Sequence, residues 1–287
     1  MSTFEIEGGV PLRGTIRASG NKNAILPMIA ACILTDQEVI LDNVPDIIDV
    51  RHMLDVIVEI GGKVERSGER VSIHVASVRT SEIGQALCNK VRTSILCVAG
   101  LLHRTGSARL FPPGGDVIGR RRLDTHFYGL QKLGAKVSIN GVYDFTMPGP
   151  LTGAELFFDE PSVTGTEHIL MAAAVSRGHT LIRNAACEPH VQDLAHLLNA
   201  MGARISGVGT SYLTVDGVEK LGVRRERELD GGVEGQETLG GIRDEVRDVV
   251  LGAHGGMAKR LDQRSRESPG HRSDEAHPVA RQSGGEQ

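Results

Sequence analysis

A chain of 287 residues, 40% of them hydrophobic, can bury the core of one large or two ordinary domains, and its formal net charge of −4 with 3% aromatic residues argues against a basic, aromatic-lined nucleic-acid groove. No apolar run reaches the roughly 18 residues of a membrane span, and the N-terminus lacks the cationic and apolar segments of a signal peptide, so a cytosolic protein with no membrane partner is expected. Cys32, Cys88, Cys97 and Cys187 lie in or beside apolar segments without a CxxC pair, which reads as buried free thiols. The eleven histidines show no metal-ligand spacing, since His190 and His196 are not an i, i+4 pair, and no metal is expected.

In chain order, an apolar helix is predicted to open at Asn23 (Ala24-Ile25-Leu26-Pro27), followed by a strand at Val39-Ile40-Leu41. A loop and an amphipathic helix then lead to Ile60-Gly61-Gly62-Lys63-Val64, where glycine closes a helix and a strand begins. The same closing phrase returns as Leu133-Gly134-Ala135-Lys136-Val137 and Met201-Gly202-Ala203-Arg204-Ile205. Before them come the strands Ala108-Arg109-Leu110 and Thr180-Leu181-Ile182. The fold class is therefore α/β, built from a helix, strand, helix, strand, strand unit repeated three times.

The offsets that carry Leu41 onto Leu110 and Leu110 onto Ile182 also carry Asn23 onto Arg92 and Arg92 onto Thr164, each at the start of an apolar helix. Strand and closing phrase are equally spaced in the first repeat (Leu41 to Ile60) and the third (Ile182 to Met201), but the middle repeat (Leu110 to Leu133) is longer by four. The extra positions fall between Gly114 and Arg122. Helix N-termini present unpaired N–H groups and favour anions. If the units pack around a pseudo-threefold axis, Lys22, Asn23, Arg92 and Thr164 converge on one anionic ligand. Pro27 is read as a first-turn proline, and Thr164 with Glu167 as a capping box.

The interrupted segment, Gly114-Gly115-Asp116-Val117-Ile118-Gly119-Arg120-Arg121-Arg122, has the composition of an active-site loop, with Asp116 as a general acid able to close over substrate. A solvated surface loop has the same composition. Asp124 and His126 open the following helix, where a carboxylate is frequent in any case. Gly207-Val208-Gly209 lies between strands and is a turn, and no G-x-x-x-x-G-K-[ST] phosphate loop is present, so no cofactor is expected.

The motifs Ala18-Ser19-Gly20-Asn21-Lys22-Asn23-Ala24, Gly114-Gly115-Asp116-Val117-Ile118-Gly119, Pro161-Ser162-Val163-Thr164-Gly165-Thr166-Glu167 and Asn184-Ala185-Ala186-Cys187-Glu188-Pro189, in this order, resemble those of the UDP-N-acetylglucosamine enolpyruvyl transferases. The resemblance runs to about Val223. It implies the inside-out α/β barrel of those enzymes and transfer of the enolpyruvyl group of phosphoenolpyruvate to the 3′-hydroxyl of UDP-N-acetylglucosamine, the first committed step of peptidoglycan synthesis. By the same resemblance Lys22 and Asn23 bind phosphoenolpyruvate, Arg92 contacts the substrates, and Asp116, cysteine in many members, protonates the methylene carbon. Arg121 contacts substrate from the loop, Arg122, Leu123, Asp124 and Thr125 hold the uridine end, and Ser162, Val163 and Thr164 complete the nucleotide site.

Such enzymes have two three-repeat domains with the active site between them. Residues 1–21 are expected to belong to the second domain, 22–223 to form one complete three-repeat domain, and 224–287 to be a divergent, poorly structured tail. The tail, which starts Arg224-Arg225-Glu226-Arg227-Glu228, has no family counterpart and reads as a frame change or truncation near Val223. The two functional expectations are the transferase itself and a half-enzyme that at most binds the nucleotide sugar.

Overall fold

The computed structural model describes residues 14–114, 122–222 and 250–252, with a few isolated positions before residue 14. These residues belong to one compact unit, Met1–Gly256; a second unit, Met257–Gln287, lies outside the described residues. The first repeat contains α1 (Lys22–Ala31), continued by a 3-10 turn at Cys32–Leu34, then β1 (Glu38–Asp42), α2 (Ile48–Glu59), β2 (Lys63–Ser67) and β3 (Arg70–His74). The second contains β4 (Glu82–Ile83), α3 (Gln85–Cys88), a 3-10 turn at Arg92–Leu96, α4 (Cys97–Thr105), β5 (Ser107–Leu110), α5 (Asp124–Lys132), β6 (Lys136–Ile139) and β7 (Tyr143–Thr146). The third contains β8 (Glu155–Phe157), α6 (Val163–Ala174), β9 (His179–Arg183), α7 (Pro189–Ala200), β10 (Arg204–Ser206) and β11 (Tyr212–Asp216). A last short strand, β12, is formed by Val250–Gly252.

Three four-stranded sheets result, with the matching orders β12-β1-β3-β2, β4-β5-β7-β6 and β8-β9-β11-β10. In each, the first strand pairs in parallel with the second and the other pairings are antiparallel. The parallel edge strands are missing from the predicted unit. β4, β8 and β12 are too short for a readable alternation of apolar and polar residues. β4 and β8 open their own repeats, whereas β12 reaches β1 from beyond the end of the third repeat.

Which helices fill the centre follows from apolar distribution. From Ala24 to Ala31 and from Gly165 to Ala174 every residue is buried, as suits helices apolar on all sides. α4 packs between them, touching α1 and α6. α2 and α7 instead bury one stripe each, Val50, Met53, Leu54, Val56 and Ile57 in the first, Val191, Leu194, Ala195, Leu197 and Leu198 in the second. These are the same positions one repeat pair apart. Each fully buried aliphatic side chain of such a stripe contributes roughly 1.5–3 kcal/mol. The sheet faces carry polar residues, with the cross-strand ion pairs Arg70–Asp42 and Arg109–Asp144 and the cross-strand hydrogen bond between His179 and Asp216.

The closing phrases behave as read. Gly61, Gly134 and Gly202 follow the C-cap residues Ile60, Leu133 and Met201 at φ of 105°, 102° and 104°, a region that a Cβ disfavours. A second regularity explains the interrupted middle repeat. Asn43 and Asn184, just beyond the aligned Leu41 and Ile182, turn the chain at φ of 56° and 57°. The aligned residue of the middle repeat is Pro112, whose ring fixes φ near about −65°. The left-handed turn is unavailable there, and the chain leaves β5 without it.

Three local expectations are corrected. α1 starts at Lys22, so Pro27 lies beyond the first turn and forgoes the bond its N–H would have made to the Asn23 carbonyl. α6 is capped by Ser162, whose Oγ accepts from Gly165 N at 3.2 Å; Thr164 and Glu167 form no capping box, because the helix has already begun at Val163. Cys32, Cys88 and Cys97 are buried but Cys187 is exposed, since it lies in the loop between β9 and α7. Burial pushes the Cys32 thiol up to about 12.

Candidate active site

Helix starts position most of the predicted site residues. Asn21 caps α1, its Oδ1 accepting from Asn23 N at 2.7 Å and Ala24 N at 3.2 Å, which fixes Lys22 and Asn23 in the first turn with exposed side chains. Lys22 Nζ donates to Asp49 Oδ2 at 2.9 Å. Asp49 stands in the first turn of α2, where a carboxylate is favoured by the helix dipole. Both side chains remain partly open to solvent, so the pair orients the ammonium more than it neutralises it. No pattern in the sequence pointed to Asp49, which belongs to a different helix from its partner.

At the first turn of α6, two predicted segments meet. Leu123 precedes α5, and Thr125 in its first turn is buried. A Cβ placed on Gly165 would stand 2.7 Å from Thr125 Cγ2 and 2.9 Å from Ser162 Oγ, so the first turns of α5 and α6 approach as closely as glycine allows. Arg122 and Asp124 form an exposed ion pair. Ser162, Val163 and Thr164 are half-buried at the start of α6.

His126 joins the two turns. Its Nε2 lies 3.2 Å from Thr164 Oγ1 and its Nδ1 3.0 Å from His168 Nδ1. Burial, aided by the positive charge of Arg92, pushes the His126 imidazole down to about 3. The His168 ring is held well below its ordinary range by burial and then by His126. Both rings are neutral at pH 7. Arg92 begins the 3-10 turn ahead of α4, and this turn packs against both α1 and α6. Arg92, Thr125 and Ser162 to Thr164 therefore belong to one neighbourhood, while Lys22 and Asn23 stand at the start of α1 with Asp49.

Glu167 is 1% exposed and its Oε1 has no hydrogen-bond partner. Burial, with the nearby charge of Glu188 adding, raises its carboxyl well above the usual range, so it is protonated at neutral pH. The folded form thus holds a proton that the unfolded chain releases above about 4.5, and stability falls as pH rises through that window. Glu167→Gln is expected to raise the melting temperature at pH 8, by about 2–4 °C for each kcal/mol relieved, with the gain vanishing near pH 4.5. Equal melting temperatures at pH 8 would contradict this.

Both buried polar sites had a sequence signal. The repeat offsets align Glu167-His168 with Ile95-Leu96 and Leu26-Pro27, and registering on the closing phrases aligns His126 with Met53 and Leu194. Polar residues replace apolar ones in single repeats. Asp116, Arg120 and Arg121 lie outside the described residues. Among the described residues no three His, Cys, Asp or Glu side chains are grouped to hold a metal ion, and no helix is long and apolar enough to cross a membrane.

The family model for EPSP synthase (3-phosphoshikimate 1-carboxyvinyltransferase) matches residues 6–228. The chain belongs to the EPSP synthase family. Within it, a protein of Treponema pallidum named UDP-N-acetylglucosamine 1-carboxyvinyltransferase is 54% identical over 222 residues, covering 77% of this chain and 52% of that protein. Its namesake in Bradyrhizobium diazoefficiens is 49% identical over 220 residues, 76% of this chain and 51% of the relative. The chain thus spans about half the length of the curated relatives it matches. Among solved structures, the enolpyruvyl transferase NikO from Streptomyces tendae superposes with a TM-score of 0.65 at 21% identity, covering 75% of this chain and 51% of that one. EPSP synthase from Acinetobacter baumannii gives 0.58 at 19%, with 73% and 48% covered. The mixed α/β enolpyruvyl transferase fold is therefore shared with about half of those enzymes.

Proposed function

We propose that this chain carries the nucleotide-sugar half of an enolpyruvyl transferase that moves the enolpyruvyl group of phosphoenolpyruvate to the 3′-hydroxyl of UDP-N-acetylglucosamine, releasing phosphate, in the cytoplasm. The observation that carries the reading is the meeting of Thr125 with Ser162 and Gly165 at paired helix starts. Two first turns there offer N–H groups to one anionic ligand. The names of the 54% and 49% identical relatives supply the substrate class.

In this reading residues 22–223 form one three-repeat domain, an inside-out α/β barrel with sheets outside and α1, α4 and α6 inside. Residues 1–21 belong with a second domain, and 224–287 are a divergent tail from which Val250–Gly252 adds β12 to the first sheet. Lys22, oriented by Asp49, and Asn23 hold phosphoenolpyruvate, with Arg92 contacting substrate between the two halves of the site. Arg122, Leu123, Asp124 and Thr125 take the uridine end, and Ser162, Val163 and Thr164 the rest of the nucleotide. Asp116 supplies the proton to the methylene carbon and Arg121 contacts substrate from the same loop.

A second reading, in which the polypeptide binds the nucleotide sugar without turnover, is favoured by the coverage of only 52% of the Treponema pallidum relative. One assay separates them. Phosphate release from phosphoenolpyruvate in the presence of UDP-N-acetylglucosamine is measured on the purified full chain, alongside calorimetric binding of the nucleotide sugar. Release supports the transferase, binding without release supports the half-enzyme, and neither signal overturns both.

A further inference from the structure

The buried histidines are more than the fold requires. His126 is 2% exposed and His168 0%, at positions that the other repeats fill with Met53 and Leu194 and with Pro27 and Leu96. Replacing apolar packing by two imidazoles incurs desolvation that an apolar pair would avoid. The pair nevertheless ends on a half-buried hydroxyl, Thr164 Oγ1, in the first turn of α6.

The direction of the hydrogen bonds follows from the one unpartnered nitrogen. Each neutral imidazole carries one proton, on either nitrogen. If His126 carried it on Nδ1 and donated to His168, the His168 proton would sit on Nε2, which is buried without a partner. Buried orphan N–H groups are rare, whereas an unfilled acceptor is tolerated more readily. In the alternative, His168 Nδ1–H donates to His126 Nδ1, and His126 Nε2–H donates to Thr164 Oγ1. The Thr164 oxygen then accepts from the interior. The Thr164 hydroxyl keeps its own proton to donate, beside the N–H groups of a helix start.

We propose that His126, backed by His168, is a positioning residue that holds the Thr164 hydroxyl as a hydrogen-bond donor to the phosphate oxygens of a nucleotide sugar lying across the first turns of α5 and α6. The proposal rests on the nucleotide-sugar reading of this site. Neither histidine touches the ligand. The effect passes through Thr164 alone, so the two side chains act as one unit.

Nitrogen-15 imidazole spectra of the full chain should show both rings neutral from pH 6 to 8, His126 protonated on Nε2 and His168 on Nδ1. A His126 proton on Nδ1, or a charged ring in that range, overturns the proposal without any ligand being added. Titration with UDP-N-acetylglucosamine supplies the second readout. His126→Phe and Thr164→Val are each expected to weaken binding about tenfold, the loss of one hydrogen bond to a charged group, and the double variant no more than either single one. His126→Gln, whose amide can donate near the position of Nε2, should recover most of the affinity. Additive losses, no rescue by Gln, or unchanged affinity in a folded His126→Phe would overturn this proposal alone. A wild-type chain that binds no UDP-N-acetylglucosamine would overturn it together with the functional reading.

Discussion

The melting temperature of this chain is expected to decline gradually from pH 6.5 to about 4.5 and then to collapse toward pH 3. His126 sets the lower limb. Its folded value, about 3, lies below the value near 6.5 of the unfolded chain, so between these limits the unfolded state binds a proton that the folded state refuses. Stability from this group is fully present above pH 6.5 and is lost as pH falls toward 3, a total on the order of 5 kcal/mol. His168, also depressed by burial, acts in the same direction. Glu167 acts in the opposite one, because its raised value makes the folded state gain stability as pH drops toward 4.5. Above 4.5 Glu167 offsets part of the loss from the two histidines; below it the histidine loss runs on without that offset and is joined by the lowered carboxyls of Asp36 and Asp46. A total of about 5–15 kcal/mol is ordinary for a folded domain, so the loss suffices to unfold much of the population. Thermal melts at half-unit pH steps check this, and Glu167→Gln should remove the partial offset and steepen the decline between 6.5 and 4.5. A wild-type profile that falls as steeply between 6.5 and 4.5 as that of Glu167→Gln would contradict the assignment.

Arg104→Ala is expected to destabilise the fold by roughly 3–5 kcal/mol, because bonds from a charged donor contribute about 1.5–3 kcal/mol each and their abandoned acceptors lose further. Its guanidinium donates to four carbonyls of the first repeat. Nη1 reaches Ile33 O at 3.2 Å, Thr35 O at 2.7 Å and Val75 O at 3.1 Å, while Nη2 reaches Ala76 O at 3.0 Å. Two of these carbonyls end the α1 segment, where helix termini leave acceptors unpaired; the other two follow β3. The side chain, anchored in the last turn of α4, thus ties the second repeat to both ends of the first. Arg104→Lys keeps the charge but lacks the planar fork and should recover only part. Urea denaturation with an unchanged slope measures both, and a loss under about 1 kcal/mol for the Ala variant would show that the clamp contributes little.

Arg104 also marks where repeat reasoning stops. The offsets align it with Thr35 and Ser176, neither of which makes such a clamp, so symmetry predicts no role for it. Asp49 is similar: its carboxylate is an ordinary first-turn residue until Lys22 Nζ is found 2.9 Å away. The capping of α6 shows the same limit at shorter range. Ser162, Thr164 and Glu167 all have capping side chains, and only the observed backbone at Ser162, in the extended region before Val163, decides among them.

Residue types and their spacing were enough to read the three-repeat unit, its closing glycines, and the apolar strands and helix stripes within each unit. These features depend on backbone preferences and side-chain periods of a few residues, such as the φ that glycine permits at Gly61, Gly134 and Gly202 or that proline forbids at Pro112. Tertiary structure alone decided that β12 completes the first sheet, that Glu167 stays protonated, and that His126, His168 and Thr164 form one chain of hydrogen bonds. Those outcomes depend on burial and on partners carried by different elements far apart in the chain, brought together by how whole repeats pack, and no local pattern of residues encodes that meeting.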